Sequence, residues 1–532
     1  MSVSRRKFLA RTTRSGSHGM ANKRPSKATP APLDIVSCMN DPELFQPWFD
    51  GETWNAWRTI LKAIYALPMS DEEKAFFRTV AEREPPTKPV KEVVIIAGRR
   101  GGKDSIASLV GAHSAAMFSD RANLRPGERA QVLCLACDRD QAKIVLNYTR
   151  SYFTELPLLH GMVSKETQFG FELTNNIDVS VATNSFRSVR GRPILCAILD
   201  EVAYWRDDNS ANPDVEVYNA LKPGLASLPG SVIILISSPY RKSGLLHTKY
   251  KDKFGKDDDK VLVIKAPTRV LNPTIPQSVV DEAMAEDSAA ASAEWMAEFR
   301  DDISAFVSRE AVEACISPQV LERPRIPGVS YQAFVDPSGG SSDSMTLAIG
   351  HQQLTPDNKR RIGVLDVVRE IRAPFSPEAA VAEFAQLLQS YGIRFVRGDR
   401  YGAQWTQESF KKAGIEYRPA DLAKTEIYRD FLPRLNSGEV DLLDNQRLVT
   451  QLVSLERRTA RGGRDSIDHP PGGKDDLCNA ACGALVYLLS ERHQSPVAMF
   501  STYSQFAPRT ERNRFDGPIL DGELRGGYAR SR

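Results

Sequence analysis

The 532-residue sequence predicts an α/β protein with two domains in tandem, each built around its own β-sheet. Between residues 93 and 265, short apolar runs alternate with helical segments, which is typical of a parallel sheet covered by helices on both faces. Residues 266–328 contain several prolines and an alanine-rich helix around 279–300, and we interpret them as a helical connector or linker. From residue 331, three strands in succession precede a helix, a strand and further helices, so a second, different sheet is expected over residues 329–492.

The composition excludes some classes of protein. Hydrophobic residues make up 41% and charged residues 26% of the chain, as in soluble globular proteins. No stretch of the sequence approaches the roughly 20 apolar residues of a membrane span, so no membrane association is expected. The seven cysteines are few and odd in number, which argues against a disulfide framework and favours a reducing compartment. The net charge of +3 neither requires nor excludes a nucleic acid partner.

Both ends of the chain are basic. Residues 1–40 are predicted to form a disordered arm, because lysines and arginines occur throughout residues 1–29 without an acidic residue. Residues 493–532 are predicted to form a flexible tail that is rich in arginine. A solubilising role and a binding role are both open for these two segments.

The first domain is predicted over residues 41–265. Residues 41–85 are predicted to be helical, because aromatic and aliphatic side chains recur there at helical spacing and Pro85-Pro86 ends the section. Continuous apolar runs then follow, as buried parallel strands require. These runs occupy residues 93–97, 132–136, 179–182, 194–199, 232–236 and 261–264.

A glycine-rich turn follows the first of these strands. It consists of Gly98, Arg99, Arg100, Gly101, Gly102 and Lys103, and a helix is predicted after Asp104. In a phosphate-binding P-loop, glycines let backbone N–H groups approach phosphate oxygens, the helix N-terminus favours negative charge, and the lysine reaches the outer phosphates. The loop is one residue shorter than usual, and Asp104 stands where serine or threonine normally helps to hold Mg²⁺. Direct contact of Asp104 with Mg²⁺, water-mediated binding of Mg²⁺ by Asp200, and a shift of Ser105 into place are all open.

A second motif completes a site for nucleotide hydrolysis. The apolar run 194–199 ends in Asp200 and Glu201, where the aspartate would reach Mg²⁺ and the glutamate the water that attacks the γ-phosphate. A later strand ends in Ser237-Ser238-Pro239, as expected of a segment that senses the γ-phosphate. An arginine is needed to offset charge in the transition state, and Arg99, Arg100 or Arg190 could serve. The sequence therefore predicts binding and hydrolysis of ATP with Mg²⁺.

The second domain carries acidic residues at the ends of predicted strands. Three strands, a helix, a strand and a helix follow the order of a ribonuclease-H-like fold, in which strands one and four are adjacent and parallel. Asp336 ends the first of these strands and Asp399 the fourth, so the two would lie side by side, and Asp475-Asp476 opens a late helix. Clustered carboxylates repel one another unless cations neutralise them, and two metal ions would do so at a reacting phosphodiester. Asp366 is a candidate fourth acid near these metals.

Together, these motifs resemble the large terminase subunit of tailed bacteriophages, in which an ATPase motor is fused to a ribonuclease-H-like nuclease. The likeness covers about residues 40–492 and rests on residues 98–103, Leu199-Asp200-Glu201, Ser237-Ser238-Pro239, Asp336, Asp399 and Asp475-Asp476. The resemblance implies that Lys103 binds phosphates, Asp200 holds magnesium and Glu201 activates water. It also implies that Asp336, Asp399 and either Asp475 or Asp476 hold the nuclease metals. We favour Asp476, because Asn479 lies one helical turn further on and could support it.

Further expectations follow from this resemblance alone. A motor of this family docks on a portal protein, assembles as a homo-oligomer, most often a pentamer, and threads double-stranded DNA into a procapsid. It works with a small terminase subunit that recognises viral DNA, and its nuclease cuts concatemers. ATP and Mg²⁺ would be the cofactors, with Mn²⁺ as an option for the nuclease. The protein would act in the cytoplasm of the bacterial host and transiently on the procapsid portal, and it would not be part of the mature virion.

Two alternatives are open at this stage. An ATP-driven DNA helicase or repair translocase with an attached nuclease would share the motifs, although helicases usually carry a second recA-like domain. A non-catalytic, prophage-derived ATP-binding assembly protein is the other alternative. The presence of Lys103, Glu201 and the three acids argues against such decay.

Overall fold

The structure is a computed structural model that describes residues 33–119, 123–183, 189–206, 213–355, 359–400, 403–459 and 465–490. The predicted tail over residues 493–532 and most of the predicted arm over residues 1–40 lie outside these ranges. Within them, no helix combines the length and the apolar character that crossing a membrane demands.

Helices precede the first sheet, as the sequence predicts for residues 41–85, but the first of them lies within residues 33–40, where the sequence predicts a disordered arm, because apolar side chains there are buried in the core. They are α1 (Ile35–Met39), α2 (Gln46–Phe49), α3 (Asn55–Ile64) and α4 (Asp71–Ala81). Helix α3 buries Trp57, Ile60 and Leu61 completely, in the same core as one face of the sheet. This packing places α3 beside the glycine-rich turn, which Trp57 contacts.

An eight-stranded sheet forms the centre of the first domain. In chain order its elements are β1 (Glu92–Ala97), α5 (Lys103–Met117), β2 (Ala130–Ala136), α6 (Arg139–Glu155), α7 (Pro157–His160), β3 (Val163–Thr167), β4 (Gly170–Leu173), β5 (Ile177–Thr183), β6 (Ile194–Asp200), α8 (Pro213–Ala226), β7 (Val232–Ser237), α9 (Gly244–Lys253) and β8 (Val261–Ala266). The strand order is β3-β4-β5-β2-β6-β7-β1-β8. All six runs predicted as strands are strands, and they pair in parallel. The carboxyl ends of β6, β7 and β1 therefore meet at one edge of the sheet.

Both faces of the parallel part of the sheet are covered by helices. Val93 and Ile95 of β1 pack into the core with α5 and α6, whereas Val94 and Ile96 pack with α8 and α9. Successive residues of a strand point to opposite faces, so burial on both faces requires an apolar residue at every position. This requirement explains why the continuous apolar runs identify these strands.

The antiparallel hairpin of β3 and β4 is a feature that the sequence does not predict. It extends the sheet beyond β5, with which β4 pairs antiparallel. Strand β3 has the sequence VSKET and is mostly exposed. It has neither an apolar run nor a strict alternation, and these are the two patterns that indicate a strand.

Residues 266–328 do more than connect two domains. Helix α10 (Thr268–Leu271) and helix α12 (Ser288–Met296) contact the glycine-rich turn, as described below. The single helix expected around 279–300 is two helices, α11 (Gln277–Glu286) and α12, and Asp287 between them caps the second with hydrogen bonds from two backbone N–H groups. The segment continues with β9 (Ile303–Ala305), α13 (Arg309–Glu313) and β10 (Ile316–Ser317), and both strands join sheets of the second domain.

The second domain is built on a seven-stranded sheet. Its further elements are β11 (Tyr331–Asp336), β12 (Met345–Leu354), β13 (Arg361–Ile371), α14 (Pro377–Ser390), β14 (Phe395–Gly398), α15 (Ala403–Lys412), β15 (Glu416–Pro419), α16 (Lys424–Asn436), β16 (Val440–Leu443), α17 (Gln446–Ser454), β17 (Glu456–Thr459), β18 (Asp465–Asp468) and α18 (Asp476–Ser490). The strand order is β10-β16-β13-β12-β11-β14-β15. Strands β11, β12 and β13 form an antiparallel meander, and β14 lies beside β11 in parallel, which is the predicted ribonuclease-H-like arrangement. Strands β15 to β18 lie where the sequence predicts only helices.

Helix α18 lies directly on β11. A Cβ atom at Gly483 would stand 2.6 Å from the ring of Phe334, so only glycine permits this close approach. One turn later, Tyr487 stacks on Phe334 with ring centroids 6.0 Å apart. The packing of α18 fixes its first turn, which begins at Asp476, next to the end of β11.

Candidate active sites

The glycine-rich turn has the backbone shape of a phosphate-binding loop. Gly102 has a φ of +87° and Arg100 a φ of +61°, and α5 begins at Lys103 directly after them. A Cβ atom at Gly102 would stand 3.2 Å from the rings of Trp54 and Trp57, so the loop passes close under these aromatic residues. The N-terminus of α5 therefore faces the edge of the sheet where β1, β6 and β7 end.

Side chains from three distant segments hold the turn in place. Trp57 Nε1 donates to Gly101 O, Thr268 Oγ1 donates to Arg99 O, and Asn272 Nδ2 donates to Arg100 O. The donor–acceptor distance is 2.8 Å in each case. Arg99 also forms an ion pair with Glu294 of α12 at 3.2 Å. These bonds satisfy loop carbonyls, while the N–H groups of Gly98, Arg99 and Gly101 donate to the carbonyl oxygens of Ala266, Glu294 and Gly98. The sequence motif alone does not indicate the roles of Thr268 and Glu294.

The predicted catalytic glutamate is held between the loop lysine and the serine motif. Lys103 Nζ lies 2.7 Å from Glu201 Oε1, and the second oxygen, Glu201 Oε2, accepts from Ser237 Oγ at 3.0 Å and from Ser238 N at 3.1 Å. Glu201 has a left-handed backbone with a φ of +48°. Such a conformation is costly for a residue other than glycine and is found at functional sites. The structure thus brings Lys103, Glu201 and the serine motif together at the end of the sheet.

Asp200 and Asp104 form the acidic part of this centre. Burial, together with the nearby carboxylates of Asp104 and Glu201, raises the pKa of Asp200 to about 8. Burial also raises the pKa of Asp104 above its ordinary value. Oδ1 of each aspartate is buried without a hydrogen-bond partner among the residues that the structure describes. A divalent cation is the kind of ligand that such oxygens accept.

The candidate arginines have different positions. Arg99 and Arg100 lie in the loop itself, and the Arg100 guanidinium acts electrostatically on Asp104. Arg190 precedes β6, whereas Asp200 is the last residue of β6 and Glu201 follows it. Just after Arg190, Arg192 Nη1 donates to Gln131 Oε1 at 3.4 Å, at the opposite edge of the sheet. Of these arginines, the structure therefore brings Arg99 and Arg100 to the nucleotide centre.

A second acidic centre lies at the end of β11. Val335 and Gly398 are register partners of β11 and β14, so Asp336 and Asp399, one residue further on, are neighbours as predicted. Asp399 N donates to Val335 O at 3.2 Å across this pair of strands. Burial and the nearby carboxylates of Asp476, Asp399 and Asp475 raise the pKa of Asp336 well above its ordinary value. The second domain therefore brings the predicted acids to one place.

The two adjacent aspartates of α18 have different surroundings. Asp475 is buried, and its Oδ2 accepts from Tyr428 OH at 2.8 Å and pairs with Lys424 Nζ at 3.0 Å. Asp476 Oδ2 is buried and has no hydrogen-bond partner within the described part of the chain, and burial and Asp475 raise the pKa of Asp476 to about 6. The side chain of Asp476 is therefore the more available of the two for a metal. Asn479 contributes differently from the prediction, because its Nδ2 donates to Asp336 Oδ2 at 2.8 Å and not to Asp476.

The expectation that Asp366 is a fourth acid of this centre is wrong. Asp366 lies on β13, and β12 separates β13 from β11. Its side chain is fully buried and accepts a hydrogen bond from His351 Nδ1 at 2.7 Å. The meander order, rather than the sequence distance, decides which strands are neighbours, and it places Asp366 one strand too far from Asp336.

A further group of possible metal ligands already has a lysine as its partner. Ligand atoms of Asp468, His469 and Asp475 lie within 4.8 Å of one another. However, Lys424 Nζ lies 2.6 Å from Asp468 Oδ1 and 3.0 Å from Asp475 Oδ2. The ammonium group supplies the positive charge here, which agrees with a structural role for His469.

Comparison with known proteins gives the same two-part picture. Residues 55–296 match the family model of the N-terminal P-loop domain of uncharacterized protein MJ0330. No match was found among curated proteins. The chain is similar to phage large terminases. This is the family whose motifs the sequence resembles.

Three solved structures illustrate the similarity. The large terminase of bacteriophage HK97 is 16% identical, with 79% of this chain and 96% of that chain covered and a TM-score of 0.33. A large terminase from a thermophilic bacteriophage is 11% identical, with coverages of 82% and 98% and a TM-score of 0.35. The large terminase nuclease of another thermophilic phage, G20c, with bound magnesium, is 19% identical, with coverages of 31% and 85% and a TM-score of 0.26. The strand orders given above carry the fold assignment, and the site geometry carries the chemistry.

Proposed function

We propose that this protein is a viral DNA-packaging ATPase and endonuclease. The observation that supports this most strongly is the presence of two separate acidic centres in one chain, a P-loop centre with Lys103, Asp200 and Glu201 and a ribonuclease-H-like centre with Asp336, Asp399 and Asp476. Neither centre alone distinguishes this function, since each occurs in many enzymes. Together they supply the two reactions that packaging requires, translocation driven by ATP and cutting of the duplex.

In the first centre, the N-terminus of α5 and Lys103 would bind the phosphates of ATP. Glu201 would orient the attacking water and accept its proton, once the γ-phosphate has drawn Lys103 away from the present ion pair. Asp200 would hold Mg²⁺, which neutralises phosphate charge when bound. The hydrogen bonds from Ser237 and Ser238 to Glu201 connect the hydrolytic residue with the end of β7. A shift of the Glu201 carboxylate would therefore be transmitted to that strand.

In the second centre, Asp336, Asp399 and Asp476 would hold Mg²⁺ or Mn²⁺, and Asn479 would orient Asp336. Two divalent cations in such a centre stabilise the attacking and leaving oxygens of a phosphodiester. The pKa values of Asp336 and Asp476 are raised, because their ionised forms are unfavourable so close together. Cations would allow both carboxyl groups to be ionised at the same time. Both the position of these carboxyl groups and their need for positive charge therefore suit metal ions.

The partners and location proposed for the protein are those of a packaging motor. They are double-stranded DNA, a portal protein, a small terminase subunit and further copies of the chain in a ring, with action in the host cytoplasm and on the procapsid. The helicase alternative is less well supported, because the second domain has an antiparallel meander and clustered acids in place of a second recA-like sheet.

Two substitutions test the proposal in the full chain. Glu201→Gln should abolish ATP turnover and leave cutting of plasmid DNA with Mn²⁺ intact, and Asp336→Ala should do the reverse. Asp366→Asn is a matched control for the second variant, because Asp366 is a buried strand aspartate of the same domain outside the centre. Plasmid cutting by Asp336→Ala at the parent rate would refute the nuclease assignment. ATP hydrolysis by Glu201→Gln at the parent rate would refute the ATPase assignment.

A further inference from the structure

The residue after the P-loop lysine is a carboxylate in this chain, and the structure sets it beside another. Asp104 is the second residue of α5, and Asp200 is the last residue of β6. Among the charged groups around Asp200, the carboxylate of Asp104 acts on it most strongly. The usual residue at position 104 is serine or threonine, whose hydroxyl group is neutral.

The two carboxylates have oxygens that the described protein does not satisfy. Asp104 Oδ1 and Asp200 Oδ1 are buried, and no donor within the described ranges reaches either atom. Asp200 is only 4% exposed, so bulk water does not replace the missing donors. Buried polar atoms are almost always paired, so two buried carboxyl oxygens without donors indicate a place that can bind a cation.

The nearby basic residues do not fill this role. Lys103 Nζ is paired with Glu201 Oε1 at 2.7 Å, and Arg100 is exposed to solvent. Three carboxylates therefore face a single buried ammonium group. When all three are ionised, two negative charges remain beside that ammonium group, which is the charge that one divalent cation neutralises.

We propose that Asp104 is a direct metal ligand, and that Asp104 and Asp200 together bind a hard divalent cation, Mg²⁺ or Mn²⁺, before any nucleotide is present. The inference rests on the proposed ATPase function and adds an order of binding to it. A neutral hydroxyl group depends on the nucleotide phosphates to hold the metal. A second carboxylate supplies that charge from the protein, so the cation binds first and the phosphates bind to a prepared site. Without metal, the same pair repels the phosphates.

The test measures binding of Mn²⁺ alone by titration calorimetry and by its electron paramagnetic resonance signal, without nucleotide. The full chain carries Asp336→Asn and Asp399→Asn, which silence the second centre. Against this background we expect a single nucleotide-free Mn²⁺ site, and Asp104→Asn should weaken it by about tenfold or more. Asp140→Asn is the matched control, because Asp140 is also the second residue of a helix but is exposed and pairs with Lys143. It should leave Mn²⁺ binding unchanged.

A second variant separates a metal ligand from a structural residue. Asp104→Ser restores the usual P-loop residue, so it should lose nucleotide-free Mn²⁺ binding, bind Mn²⁺ once ATP is added, and bind ATP better than the parent in the presence of a chelator. Mn²⁺ binding by Asp104→Asn and Asp104→Ser with the parent affinity would overturn the inference.

ATP hydrolysis is measured separately on the chain with Asp104 and Asp200 intact. If the chain hydrolyses no ATP but shows Mn²⁺ binding that depends on Asp104, the proposed ATPase function fails and the metal site stands. If ATP is hydrolysed and nucleotide-free Mn²⁺ binding is missing, the metal inference fails and the ATPase proposal stands.

Discussion

Neighbouring aspartates differ in what surrounds them, and this difference assigns their roles. Asp475 is held by Tyr428 and Lys424, whereas Asp476 keeps a buried oxygen without a donor in the described structure. We expect Asp476→Asn to abolish plasmid cutting while the free energy of unfolding stays within about 0.5 kcal/mol of the parent. We expect Asp475→Asn to lower that free energy by about 1–3 kcal/mol, because it weakens a buried charged hydrogen bond. Urea denaturation and cutting with Mn²⁺ check both. Loss of cutting with unchanged stability in Asp475→Asn would reverse the assignment.

The pKa of Asp476 predicts how the second centre responds to pH. Its folded value of about 6 lies above the ordinary 3.8, so between these values the metal-free folded chain keeps a proton that the unfolded chain has lost. This group therefore makes the metal-free fold less stable as the pH rises from about 4 to 6. A cation needs the ionised form, so the Mn²⁺ affinity of the second centre should increase as the pH passes 6. Titrations at pH 5, 6 and 7 check this expectation, and Asp476→Asn should lack that part of the rise. An affinity that does not change over this range would contradict it.

Whether the position of a single residue can be predicted from the sequence depends on whether the residue lies on a regular element. The sequence places Asp200 and Asp336 correctly at strand ends, because apolar runs mark where a strand stops. It misplaces Asp366, because the role of this residue depends on which strand lies next to which, and the chain order does not state that. The bond from Asn479 to Asp336 joins residues far apart in the chain, and only the packing of α18 on β11 brings them together.

At the scale of elements, α10 and its following turn act as a clamp on the P-loop. Asn272 Nδ2 donates to Arg100 O, and Thr268 Oγ1 donates to Arg99 O. We expect Asn272→Ala to weaken ATP binding about fivefold, since one lost hydrogen bond is worth about 1 kcal/mol and the loop becomes less ordered. Equilibrium binding of a fluorescent ATP analogue measures the effect. Arg269→Ala is the control, because Arg269 lies in the same helix but bonds only to Ile275 and Gln277 in the described contacts. Equal affinities for the two variants would contradict the clamp.

The six apolar runs of the first domain are predicted to within one or two residues of the strand ends, whereas elements without a strong period are not predictable. The run 194–199 corresponds to β6 at residues 194–200, whereas β3 is not predicted because Ser164, Lys165 and Glu166 are polar and exposed on both of its faces, without a strict alternation. The residues of α10 and α12 resemble a connector in sequence, because α10 is only four residues long and α12 is alanine-rich, so neither has a pattern that indicates what it packs against. What they cover is decided by tertiary packing alone.

At the scale of the whole molecule, a buried charged cluster joins the two domains. Glu456 of β17 is fully buried and accepts from Tyr240 OH at 2.8 Å. Arg241 lies 3.4 Å and Arg458 3.2 Å from its carboxylate oxygens. Tyr240 and Arg241 come directly after the serine motif that bonds Glu201, and Arg458 donates to the carbonyl of His469, beside the second centre. Contacts therefore run without a break from one centre to the other.

This cluster predicts that the two domains unfold together in the parent and separately without it. Glu456→Gln leaves the partly exposed Arg241 and Arg458 without the charge of the buried carboxylate, and weakening such charged hydrogen bonds costs about 1–3 kcal/mol. We expect a single calorimetric transition in the parent and two in the variant, with both chemical centres still able to bind Mn²⁺. Glu416→Gln is the control, because Glu416 pairs with Arg418 on the exposed surface and its loss should leave the melting profile unchanged. A single transition at the parent temperature in Glu456→Gln would mean that the cluster does not couple the domains. The contacts between the two centres would then contribute no coupling free energy.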